Sequence, residues 1–88
     1  MRIDKYLKVA RILKKRTIAK ELALQERLFI NGRIAKAASE IKPGDLVKIV
    51  FGHRVFSVRV LEVRENASKQ DALGMYEVVE EELLNEVE

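Results

Sequence analysis

The apolar residues of this chain change their spacing once, near residue 26, and any fold has to satisfy both patterns. Before that point Ile3, Tyr6, Leu7 and Ala10 fall at i, i+3, i+4 and i+7, which sets four apolar groups on one helical face. Ile18, Ala19, Leu22 and Ala23 repeat the spacing. Asp4 is placed to cap the first helix and Thr17 the second. Lys20 rather than Glu stands three residues beyond Thr17, so a reciprocal capping box is incomplete. Between the helices, Arg11-Ile12-Leu13-Lys14-Lys15-Arg16 ends in three consecutive cations that would repel one another in a helix, and it reads as a tight, exposed connection.

After Glu26 the runs are short and extended. Leu28–Ile30 and Arg33–Ala35 flank Asn31-Gly32, a pair suited to the two positive φ angles of a type I′ hairpin turn. Pro43-Gly44-Asp45 is a turn, with proline fixing φ and glycine accepting φ > 0. Leu46–Phe51 and Val55–Val63 are then two strands joined around Gly52-His53. Phe56, Val58 and Val60 alternate with Ser57 and Arg59, the pattern of a sheet with one buried and one wet face. Asn66–Gly74 reads as a loop or short helix and Met75–Val79 as a last strand. Glu77–Glu88, with six glutamates and no cation, reads as a frayed or weakly helical solvated tail. Helices first and strands after make a small α+β domain. Tyr6, Phe29, Phe51 and Phe56 are expected in its core, the Tyr6 hydroxyl at the rim, which leaves no aromatic platform for stacked bases.

Eighty-eight residues hold one domain. The absence of cysteine excludes a disulfide scaffold and thiolate chemistry, and with His53 the only histidine, the common zinc sites are excluded as well. Acid–base or nucleophilic catalysis needs several titratable groups in one cleft. Ser39, Ser57 and Ser68 have no base near them in sequence, and His53 stands in a turn. The reading is that this is not an enzyme and needs no cofactor. The apolar runs are too short to span a bilayer and no secretion signal opens the chain, so a cytoplasmic protein without membrane contact, monomeric, is expected.

The net charge of +3 averages two unlike halves. Residues 1–36 carry eleven Lys and Arg against three acids, a net +8, while residues 37–88 carry six against eleven, a net −5. Such polarity points to a polyanion-binding face opposite an acidic end. Lys5, Lys8 and Arg11 lie off the apolar stripe of the first helix, Lys14, Lys15 and Arg16 lie in the connection, and Lys20 lies on the second helix. Together they can meet a phosphate backbone and release its counterions. A basic module docking on an acidic partner protein is the competing reading.

In order along the chain, Arg2-Ile3-Asp4-Lys5-Tyr6-Leu7, Arg11, Arg16-Thr17-Ile18-Ala19-Lys20, Leu28-Phe29-Ile30-Asn31-Gly32, Lys36-Ala37 and Pro43-Gly44-Asp45 resemble the S4 RNA-binding domain. That family opens with R-L-D-K-[FY]-L, continues through a Ser/Arg-rich segment and a V-N-G hairpin, and closes on a P-G-D turn. The resemblance implies an S4-type, αL-like fold, two N-terminal helices packed on a small, mostly antiparallel sheet. It spans residues 1–63, with residues 64–88 as a C-terminal extension ending in the acidic tail. Among short stand-alone members it is similar to two kinds of protein. One is the heat-shock protein that binds free large ribosomal subunits carrying nascent chains. The other is the Gram-positive factor of ribosome-associated quality control, which the acidic end favours. The second likeness implies binding to 23S rRNA and the P-site peptidyl-tRNA on obstructed large subunits, and support of alanine tailing by an RqcH-type partner. Arg2 and Arg16 match the family's RNA-contacting arginines. The further candidates for RNA contact are Lys5, Lys8, Arg11, Lys14, Lys15, Lys20, Asn31, Arg33 and Lys36. Asp4 is read as a cap or as the group that orients an arginine.

Overall fold

The computed structural model describes residues 1–83. The chain forms helices α1 (Ile3–Val9) and α2 (Arg16–Leu24), strands β1 (Leu28–Ile30), β2 (Arg33–Ile34), β3 (Leu46–Phe51) and β4 (Arg54–Val60), helix α3 (Lys69–Leu73) and strand β5 (Tyr76–Leu83). The strands make one antiparallel sheet in the order β2-β1-β3-β4-β5. The small α+β domain expected from the change of apolar spacing is therefore what forms.

Ile3, Tyr6, Leu7 and Ala10 are all buried, as are Ala19 and Leu22 of α2. They pack over Leu28, Val47, Ile49, Val58 and Val60, which line the inner face of the sheet. Asn31 and Gly32 take φ of 51° and 84°, the left-handed pair that the β1–β2 turn requires.

Helices α1 and α2 end on the same device, a Schellman motif. In α1 the amides of Arg11 and Ile12 donate to the carbonyls of Lys8 and Leu7; in α2 those of Glu26 and Arg27 donate to Ala23 and Leu22. The left-handed position is filled by Arg11 (φ 61°) and Glu26 (φ 59°) where glycine is usual, so no glycine marks either helix end in the sequence.

Several expectations are corrected. Neither Asp4 nor Thr17 is a cap: α1 follows Arg2 and α2 follows Lys15, neither with a side-chain capping bond. The first amides of α1 are satisfied instead by the 36–41 loop, Ile3 donating to the Ser39 carbonyl at 2.8 Å and Asp4 to that of Ala37 at 3.2 Å. The connection is not wholly exposed, because Leu13 turns into the core. The Tyr6 hydroxyl is not at the rim. It is buried and donates to the Met75 carbonyl at 2.7 Å, tying α1 to the start of β5, and burial pushes its pKa up. Ser57 keeps the outer face expected of it, beside the exposed Lys48 and Glu80 of the adjacent strands, but is itself buried there. Phe51 is not core, being 49 % exposed at the end of β3.

The largest correction concerns the acidic tail. Glu77–Leu83 belong to β5, which pairs with β4 along seven residues and carries one irregularity opposite Ser57 and Val58. Opposite charges across the ladder favour this pairing: Glu77 faces Arg59, and Arg54 donates to Glu81 at 2.5 Å. The remainder of the expected tail, residues 84–88, lies outside the described residues.

Candidate nucleic-acid interface

The site begins with Asp4. Its place in the first turn of α1, roofed by the 36–41 loop, leaves its carboxylate completely buried. A lone buried carboxylate is strongly disfavoured, and two arginines relieve it. Arg2 donates through Nε to Oδ1 at 3.2 Å and through Nη2 to Oδ2 at 3.0 Å; Arg16, twelve residues away, donates through Nη2 to Oδ1 at 3.0 Å. Burial raises the Asp4 pKa, but the bonds and charges of Arg16 and then Arg2 outweigh it and hold the carboxyl below its ordinary value. The two arginine side chains are 45 % and 39 % exposed. One carboxylate thus fixes two guanidinium planes at the surface, each with N–H groups left over. The Nε of Arg16 is buried and has no protein acceptor among the described residues. Of the two roles considered for Asp4, orienting an arginine is the one that the structure shows.

Beside Arg16 a cleft of about 660 Å³ is lined by Lys5, Lys8, Arg11, Lys14 and Arg16. Its far wall is the segment Glu65-Asn66-Ala67. Lys5 pairs with Glu65, and Arg11 Nη2 donates to the Ala67 carbonyl at 3.5 Å. Sequence reasoning missed this wall, because the contacts join residues 56 and 60 positions apart and nothing local signals them.

The remaining candidates are placed elsewhere. Lys15 and Lys20 lie on α2 and its N-terminal flank, Lys20 exposed, and neither lines the cleft. Arg33, on the edge strand β2, and Lys36, just after it, are exposed, Arg33 beside a separate depression shared with Asn31 and Ser39. Asn31 serves the architecture, since its Nδ2 donates to Asp45 at 3.1 Å and its Oδ1 accepts from the Leu46 amide at 2.8 Å. The structure therefore gathers Arg2, Lys5, Lys8, Arg11, Lys14 and Arg16 and leaves the other five outside.

Comparison with known proteins places this arrangement. The S4 domain family model matches residues 1–47, the stretch from the Asp4 clamp to the first residues of β3. The chain belongs to the S4 domain family. The S4 chain is 48 % identical over 86 residues to the RQC P-site tRNA stabilizing factor of Streptococcus pneumoniae, covering 98 % of both proteins. It is also 48 % identical to the protein of that name in Bacillus subtilis, over 98 % of this chain and all of that one. Among solved structures, trimeric heat shock protein 15 of Vibrio cholerae superposes with a TM-score of 0.81 at 22 % identity, over 90 % of this chain and 81 % of that one, a likeness of fold. The S4 match ends as β3 begins, so most of β3, with β4 and β5, extends the sheet beyond it.

Proposed function

We propose that this S4 protein is a non-catalytic RNA-binding factor of the large ribosomal subunit. In this reading it binds 23S rRNA and the P-site peptidyl-tRNA on obstructed subunits and supports C-terminal alanine tailing by an RqcH-type partner. The observation that carries the proposal is the Asp4 clamp beside the basic cleft. Arg2 and Arg16 are held in place and half exposed, and Lys5, Lys8, Arg11 and Lys14 continue the positive surface. Fixed guanidinium forks grip phosphate oxygens with little entropy left to lose. The names of the relatives supply the P-site tRNA and the quality-control setting.

The test is co-sedimentation of the protein with large subunits that carry peptidyl-tRNA. Parent protein is expected in the subunit fraction and Arg16→Ala at the top of the gradient, with a lowered thermal midpoint because Asp4 loses one of its two partners. Lys14→Ala, an exposed cation of the cleft outside the clamp, should weaken sedimentation with its midpoint unchanged. Five or six neutralised phosphates predict a slope of log affinity against log salt of about −5. A flat slope, or equal sedimentation of the variants, would sink the reading in favour of a protein interface.

A further inference from the structure

A second depression lies on the other side of Arg11. It is a groove of about 400 Å³ at the hairpin-turn end of β3 and β4, and Arg11 and Leu13 line both it and the basic cleft. Its floor is Ile49, and Ile12, Phe56 and Tyr76 rise half-buried around it. Phe51, the one exposed phenylalanine, stands at its edge. The rim carries Arg11 and the Arg54–Glu81 pair. The ridge between the two depressions is the end of α1, where Arg11 holds a left-handed backbone that glycine would adopt more easily.

We propose that this groove receives one unstacked base of the RNA whose phosphates lie in the basic cleft, with the Phe51 ring as the stacking surface. The inference rests on the RNA-binding reading and deepens it: the ligand becomes a structured RNA with an extrahelical nucleotide beside the gripped backbone. Three features favour a base over an apolar side chain of a partner protein. The groove is continuous with the phosphate cleft through Arg11. Its rim is cationic on the side where a nucleotide's own phosphate would pass. The Arg54–Glu81 pair offers both donors and an acceptor to a base edge, while an aliphatic side chain could use neither.

The experiment uses two hairpin RNAs alike in every base pair, one with a single bulged 2-aminopurine, titrated at low salt against the full chain. The parent is expected to bind the bulged hairpin about tenfold more tightly and to quench its fluorescence, the size expected of one base stacked on one aromatic ring. Phe51→Ala should bring the two affinities together without changing the thermal midpoint, since the ring is half exposed. Phe51→Leu, which keeps apolar area but no ring, should lose the quench. Arg16→Ala should weaken both hairpins alike and keep their ratio. Equal parent affinities with unquenched fluorescence would overturn the base site and leave RNA binding standing. Failure of the parent to bind either hairpin would overturn both. Hairpin affinities untouched by Phe51→Ala, together with a loss of binding to intact subunits, would overturn the base site by giving the groove to a protein side chain.

Discussion

Asp4 and Asp45 are two buried carboxylates of one small domain, each held below the ordinary carboxylate pKa and each supplied with nearby donors. What they hold is different. Asp45 accepts the Lys42 amide at 2.9 Å, Asn31 Nδ2 at 3.1 Å and Lys42 Nζ at 3.3 Å, so most of its bonds stay within the turn and hairpin that it braces. The side-chain bonds of Asp4 come from Arg2 and Arg16, both reaching out to solvent. A carboxylate bonded inward to a turn is architecture. One bonded outward to two half-exposed guanidinium groups fixes the geometry of a surface, which is the arrangement a polyanion site needs.

Substitution of the two should separate stability from binding. Asp4→Ala is expected to cost about 2 kcal/mol of folding stability. That is less than the loss for a fully buried pair, because Arg2 and Arg16 can rehydrate. In urea the unfolding midpoint should fall, and the variant that stays folded should lose most of its affinity for subunits. Asp45→Ala is expected to cost about 1–2 kcal/mol through the lost turn bonds, with affinity per folded molecule unchanged. If Asp45→Ala weakened subunit binding as much as Asp4→Ala, the contrast between a functional and an architectural carboxylate would fail.

The smallest effect is in acid. Both folded pKa values lie below the unfolded 3.8, so the stability these groups contribute is complete above that pH. It drains away as the pH falls through their folded values. Either Asp4→Asn or Asp45→Asn should therefore unfold with about one fewer proton taken up, seen as a shallower acid limb in a plot of stability against pH. An unchanged limb in both variants would show that neither carboxyl is held below its unfolded value.

Legibility in the sequence follows the range of the interactions. Ile3, Tyr6, Leu7 and Ala10 could be read as one buried stripe, and Asn31-Gly32 as a hairpin turn, because spacing and φ preference are local properties. The helix caps could not. The amides that Asp4 and Thr17 were expected to satisfy belong to helices that begin elsewhere, and those of α1 are met by a loop more than thirty residues downstream. The strand β5 was only half legible, since glutamates have poor strand propensity and are held there by Arg54 and Arg59 across the ladder. The same limit applies to the candidate site. The cations of α1 and its connection were visible as a cluster, whereas the Glu65–Ala67 wall and the uncovered Phe51 depend on how distant segments meet.

The glutamates of β5 bear on how the protein behaves in a tube. Beyond β5 the sheet has no further strand among the described residues, so its outer edge offers free backbone groups to a second copy. Glu77, Glu80, Glu81 and Glu82 make that encounter repulsive near neutral pH, and the chain can be concentrated without its sheets joining.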